Sequence, residues 1–132
     1  MELAAAGPAL KVVLIEDSLP QRDTLGAMLG ELSGVEVVGG ADDEQSALEL
    51  LQRQRPDLAI VDLKLRAGSG IGVLRALLGN PDRFGRPRAV VYSNHGQLLI
   101  RERCLALGAD RFFDKATDTD QLLAYVRQTA LS

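Results

Sequence analysis

The sequence carries a single cysteine, Cys104. No disulfide can form within the chain, and a reducing compartment is the expected setting. Tryptophan is absent. No apolar run approaches the roughly 20 residues that cross a bilayer, so no membrane association is expected. The opening MELAAAGPAL is acidic at Glu2 and too short for a secretory signal. Positive charge is not in excess: 15 Lys and Arg against 18 Asp and Glu give a net charge of −3. Bulk nucleic-acid binding normally needs a basic face, so direct binding of nucleic acid by this chain is not expected. Repeats, low-complexity tracts and a second domain are missing as well. What is left is an ordinary globular composition, 46% hydrophobic and 25% charged, in 132 residues that suffice for one full core. The expectation is a soluble, cytoplasmic, single domain. Residues 1–9 read as a flexible tail with Gly7-Pro8 as breaker, and residues 10–132 as the folded part.

Leu58-Ala59-Ile60-Val61 is an apolar run bounded by polar residues, the pattern of a strand buried on both faces of a parallel sheet. It ends in Asp62, and the following LKLRAGSG (63–70) reads as a loop. Val12-Val13-Leu14-Ile15 is a second such run, ending in Glu16-Asp17. Val35 to Val38 is a third, ending at Gly39-Gly40; Ala89-Val90-Val91-Tyr92 ends at Ser93, and Arg111-Phe112-Phe113-Asp114 at Lys115.

Helices alternate with these strands. Ser18 and Pro20 start one, whose face is Leu25, Met28, Leu29 and Leu32. Asp42 or Asp43 caps the next, with Ala47, Leu48 and Leu51. A third runs from Gly70 through Ile71, Leu74 and Leu78 to Gly79. A fourth spans about Gln97 to Leu107, with Ile100, Cys104 and Leu107 inward. Thr117 with Asp120 forms a capping-box-like start to the fifth, which carries Leu122, Leu123 and Val126. Residues Gly79 to Arg88 read as a solvated loop with Arg83, Arg86 and Arg88.

Five strands alternating with five helices imply an α/β fold, a parallel sheet covered on both faces. Such sheets hold ligands beyond the carboxyl ends of their strands. Glu16, Asp17, Asp62, Ser93 and Lys115 all stand at those ends. Crowded carboxylates recruit a cation, and few hard oxygen ligands suit Mg²⁺. Asp62 is placed to be a nucleophile toward phosphorus. Mg²⁺ held by Asp17 and Asp62, with Glu16 in support, neutralises one side of a phosphoryl group. Lys115 neutralises the other, and the Ser93 hydroxyl donates to a remaining oxygen.

VLIEDS (13–18), IVDLKL (60–65), VVYSN (90–94) and FFDK (112–115) together resemble the signatures of bacterial two-component response-regulator receiver domains, in order and across residues 11 to 130. The resemblance is to the chemotaxis type, stand-alone or truncated. It implies a flavodoxin-like five-stranded parallel sheet of order 2-1-3-4-5 with five helices on two faces, and a receiver domain over 10–132. It further implies Asp62 as phosphoacceptor, Lys115 and Ser93 as its partners in the chemistry, and Glu16, Asp17, Asp62 and the Lys64 carbonyl as Mg²⁺ ligands. Ser93 and Phe112 take the switch positions. Asn94 and His95 flank the site, where they would gate access to it. The implied phosphodonor is a sensor histidine kinase or histidine phosphotransfer domain. The implied output is the helix after Ser93, the last strand and the last helix, where Leu98, Arg101 and Leu105 face a downstream protein or a second protomer. The resemblance makes the chain a signalling phosphoacceptor and no enzyme beyond its own phosphorylation and dephosphorylation. Four positions depart from the family: Arg66 stands where proline is usual, implying a more mobile loop after Asp62; Ala116 stands where proline usually follows the lysine, which bears on the approach of Lys115; Asn94 replaces a small residue beside the switch hydroxyl; and Phe112 lacks the tyrosine hydroxyl.

Rival readings exist. A metal-dependent phosphohydrolase with an aspartyl-phosphate resembles Asp-x-Asp, whereas Lys64 fills the second position here. A degenerate receiver would bind partners without phosphate. A flavin carrier would need a phosphate cradle that these loops lack. Taken alone, Ser93 is a loop hydroxyl, Lys115 a solvated lysine, Cys104 and Phe112 plain core.

Overall fold

A computed structural model describes residues 8–132; the tail expected over 1–9 lies mostly outside the described residues. Five strands run β1 (Leu10–Ile15), β2 (Val35–Ala41), β3 (Leu58–Val61), β4 (Arg88–Ser93) and β5 (Arg111–Asp114). Five helices alternate with them: α1 (Leu19–Gly30), α2 (Glu44–Gln54), α3 (Gly70–Gly79), α4 (Leu98–Leu107) and α5 (Thr119–Leu131). All pairings are parallel, in the order β2-β1-β3-β4-β5. Among the described residues no helix is long and apolar enough to cross a membrane.

The strands are apolar on both sides because both sides are covered. Val13, Ile15, Ala59, Val61, Val91 and Phe112 point to the layer of α2, α3 and α4. Val12, Leu14, Leu58, Ile60, Val90 and Phe113 point to α1 and α5. Phe112 and Phe113 part to opposite layers, as alternation in a strand requires.

Local differences from the sequence reading have physical causes. β2 does not stop at Gly39-Gly40 but continues through both to Ala41, with a register shift of β1 against β2 between Val12 and Val13. A Cβ at Gly39 would lie 2.8 Å from the Leu50 side chain, and one at Gly40 2.8 Å from Arg22 Cδ. These glycines permit close helix cover instead of ending the strand. The stretch 79–88 is not one solvated loop. Pro81–Phe84 forms a 3₁₀ turn that drives Phe84, fully buried, into the α2–α3 side of the core, and Arg88 opens β4. The helix α5 is preceded by Asp118 rather than Thr117. The Asp118 carboxylate turns back to accept from the Asp114 N–H at 2.9 Å and from the Thr117 hydroxyl at 3.0 Å. Asp43, not Asp42, caps α2, accepting from Ser46 N–H at 2.7 Å.

Candidate functional site

β1 and β3 end where their apolar runs end, and the acids that follow them are carried onto the rim; Ser93 closes β4 there, and Lys115 follows β5. Glu16 and Asp62 are both buried, 8% and 7% exposed, while Asp17 is exposed. One carboxylate oxygen from each of these three lies within 4.8 Å of the others. Lys115, just past β5, reaches across from the far side. Its ammonium donates to Asp62 Oδ2 at 2.7 Å, to Gln21 Oε1 at 2.6 Å and to Glu16 Oε1. An ammonium has three N–H donors, and all three are in use.

The remaining oxygens are also held. Asp62 Oδ1 accepts from the Leu63 N–H at 2.7 Å and Glu16 Oε2 from the Ser18 N–H at 2.9 Å. Burial pushes the Glu16 carboxyl above its ordinary value, outweighing the hydrogen bonds from Lys115 and Ser18 that lower it. The negative charge of Asp62 adds to the rise. For Lys115, burial by itself pulls downward, but the hydrogen bonds to Asp62 and Glu16 and their charge more than offset it, so its net direction is up. The lysine is therefore a fixed positive charge throughout the neutral range.

A cavity of ≈ 300 Å³ opens over this cluster, lined by Glu16, Asp17, Gln21, Asp62, Lys64, Asn94, His95 and Lys115. The structure thus gathers the three acids and the lysine into one cluster, and places Lys64, Asn94 and His95 on its wall. Ser93 is fully buried beside it, its hydroxyl accepting from the His95 N–H at 3.2 Å. The Ser93 carbonyl accepts from the Lys115 N–H at 3.1 Å, which locks the ends of β4 and β5 together. Phe112 is buried at 8% exposure with the Arg101 guanidinium stacked 4.7 Å from its ring centroid. Cys104 is core, and burial raises its thiol.

Two features escape a reading of the sequence. Gln21 lies in the first turn of α1, four residues past Asp17, and that nearness was its only signal. The second is a hydroxyl chain behind the lysine. Thr119 Oγ1 donates to the Lys115 carbonyl at 3.4 Å and so accepts from Tyr92, 2.6 Å away. The Tyr92 ring also lies 5.8 Å from the Lys115 ammonium. The loop at Ala116 is closed by hydrogen bonds from the Ala116 N–H to Asp114 Oδ1 at 2.7 Å and the Asp118 N–H to the Asp114 carbonyl at 2.8 Å.

The donor set fits a small hard cation: three carboxylates, one exposed and able to keep water on an ion, around an opening rather than a closed cage. Chemically, the cluster offers two buried carboxylates, Glu16 and Asp62, each with an oxygen on one fixed cation, and the exposed Asp17 beside them.

A family model described as "Response regulator receiver domain" matches residues 12–127. A protein-glutamate methylesterase/protein-glutamine glutaminase 5 of Myxococcus xanthus is 38% identical over 109 residues, covering 82% of this chain and 30% of that protein. One of Desulfotalea psychrophila is 29% identical, covering 80% and 29%. The chain thus spans about a third of the length of the curated relatives it matches. Among solved structures, the receiver domain of a response regulator, NarL, from Mycobacterium tuberculosis is similar with TM-score 0.83 and 27% identity, over 96% of this chain and 99% of that one. The response regulator domain of Thermotoga maritima CheB gives TM-score 0.80 at 21% identity, over 94% and 98%.

Proposed function

The chain belongs to the response regulator receiver domain family, and from that premise we propose that Asp62 is its phosphoacceptor, charged from a phosphohistidine on a sensor kinase or phosphotransfer domain. The observation that carries this is the placement of Asp62 Oδ2 2.7 Å from the Lys115 ammonium, within the three-acid cluster. An Asp62 oxygen attacks phosphorus in line. The P–O bond forms as the P–N bond to imidazole breaks, and the leaving nitrogen takes up a proton. Lys115, released from Asp62 Oδ2, turns its freed N–H to a phosphoryl oxygen while Gln21 still holds it. The Ser93 hydroxyl exchanges its contact with the His95 N–H for a phosphoryl oxygen. Glu16, Asp17, Asp62 and the Lys64 carbonyl would hold Mg²⁺, which would supply positive charge to the phosphoryl oxygens in addition to that of Lys115. Asn94 and His95, on the cavity wall, meter the access of water.

The signal leaves through α4, β5 and α5. Inward movement of Ser93 changes the space available to Phe112, and Phe112 is covered by Arg101 of α4. Leu98 and Leu105, 68% and 47% exposed, lie on the same side of α4 as Arg101 and meet a downstream protein or second protomer. Replacing both leucines by lysine is expected to abolish that contact and leave phosphorylation intact.

The test is intact mass after incubation with acetyl phosphate and Mg²⁺, beside an Asp62→Asn variant and an EDTA control. One phosphoryl adduct that needs both Asp62 and metal is the expected result. No adduct from acetyl phosphate or from a phosphohistidine donor would leave a binding module without phosphate chemistry.

A further inference from the structure

Helix α4 has two exposed sides, and only one belongs to the output surface described above. Arg101 fixes the orientation, because its guanidinium lies on Phe112 of β5. At 100° per residue, Leu98 and Leu105 fall on that β5 side, whereas Leu99 and Arg103, one turn apart, fall on the opposite side toward α3. Leu99 is the most exposed large apolar residue among those described, at 79%. Burial against β5 therefore cannot be the reason for an apolar residue there.

Between α3 and α4 lies a groove of ≈ 380 Å³ lined by Leu63, Lys64, Ile71, His95, Ile100 and Arg103. Its floor is apolar: Leu63 belongs to the core, and Ile71 and Ile100 pack on it while remaining partly open. Its rim is cationic. Lys64 and Arg103 stand at the edge, and Arg75, one turn beyond Ile71 on α3, continues the row. All three cations are exposed, and none pairs with a carboxylate among the described residues. No acid lines the groove. Lys64 and His95 also line the cavity over Asp62, so the groove borders the reacting carboxylate.

We propose that the α3–α4 groove docks an amphipathic helix of a partner protein, seated by apolar residues on Ile71, Ile100 and Leu99, with carboxylates toward Lys64, Arg75 and Arg103. Charge complementarity decides the occupant. A chain of net charge −3 repels acidic proteins in general, so a local site without acids and with three unpaired cations selects for carboxylate against the overall field. The apolar floor selects against a fully polar anion such as a nucleic-acid backbone. The inference does not need phosphoryl transfer. Its failure would leave the role of Asp62 standing, and a failure at Asp62 would leave the groove.

The probes are three four-turn helical peptides with leucine at i, i+3, i+4 and i+7 and either glutamate, glutamine or lysine at the flanking positions. They are titrated into the isotope-labelled chain at low salt. The glutamate peptide is expected to bind about tenfold more tightly than the glutamine peptide, with the advantage shrinking near 0.5 M salt. Amide shifts centre on Ile71, Ile100 and Arg103. In the variant Arg75→Glu/Arg103→Glu the preference turns to the lysine peptide, and Leu99→Ser weakens all three. Equal binding of the glutamate and glutamine peptides, no binding, shifts centred on Leu98 and Leu105, or binding of a short DNA duplex in their place would each overturn the proposal.

Discussion

At the scale of single residues, the site is governed by the valence of one ammonium. Lys115 satisfies Glu16, Asp62 and Gln21 at once, and without it two buried carboxylates face each other. Replacing Lys115 by Met is expected to destabilise the metal-free protein by about 3 kcal/mol, the lower end for breaking a buried ion pair. The same variant is expected to bind Mg²⁺ more tightly, because the cation no longer competes with an ammonium, and to phosphorylate poorly. Denaturant melts with and without Mg²⁺ check the first two points; equal stability of variant and parent in EDTA would contradict the account. The chain from Tyr92 through Thr119 to the Lys115 carbonyl is the second residue-level device. Tyr92→Phe and Thr119→Val are each expected to slow phosphorylation by about fivefold, the worth of about 1 kcal/mol. Thr119→Ser should restore the rate, and the double variant should be no slower than either single one. Asp118 adds a pH signature. Hydrogen bonds from the Asp114 N–H and the Thr117 hydroxyl hold its carboxyl below the ordinary value. Its stabilisation is thus present above the usual carboxylate range and is lost as pH falls through the lowered folded value. The melting difference between the chain and Asp118→Asn should therefore be present at neutral pH and vanish in acid. Glu16, Asp17, Asp62 and Lys115 were legible in the sequence because each interrupts or follows an apolar run. Gln21, Tyr92 and Thr119 were not, because no run or breaker marks them, and the Gln21–Lys115 and Tyr92–Thr119 contacts join residues 94 and 27 positions apart.

At the scale of elements, the stretch after Asp62 shows how local structure replaces a missing proline. The sequence implied a mobile loop at Arg66. In the structure Arg66 spans Asp42 and Asp43 with its side chain, and its N–H donates to the Asp42 carbonyl at 2.9 Å. The Glu44 N–H donates to the Ala67 carbonyl at 3.0 Å, and Glu44 Oε1 accepts from the Ser69 N–H at 3.0 Å. The loop is stitched to the start of α2. Gly70 then lets α3 begin directly against β3. A Cβ there would lie 2.1 Å from the Asp62 carbonyl oxygen, which is backbone and cannot yield by a rotamer change. Gly70→Ala is expected to cost about 2 kcal/mol or more and to lower the phosphorylation rate together with stability, since the strand end carrying Asp62 must move. A melting point unchanged from the parent would show that α3 can slide. The strands and helices themselves were legible from period and breakers. The 3₁₀ turn was not. Gly, Pro and three Arg around Phe84 give a loop composition, and one aromatic has no period by which burial could be read.

At the scale of the whole molecule, function follows from an asymmetry of the sheet. Parallel strands put every carboxyl end on one side, so residues at the ends of four strands, β1, β3, β4 and β5, meet although those strands lie far apart in sequence. That is why the architecture and the cluster could be inferred together, while the groove between α3 and α4 could not. The cluster is concentrated negative charge held by a single lysine. A divalent cation that binds it in the folded chain, and not in the unfolded one, must stabilise the fold by linkage. At a free Mg²⁺ concentration one hundred times the dissociation constant, the gain is about 2.7 kcal/mol, a rise in Tm of roughly 8 to 10 °C. Asp17→Asn removes the exposed member of the cluster without unpairing Lys115, whose partners are Glu16, Asp62 and Gln21. The variant is therefore expected to fold, with an unchanged Tm in EDTA, and to lose most of the Mg²⁺-dependent rise. An equal rise in parent and variant would mean that the ion acts on the overall negative charge and that the three acids form no site.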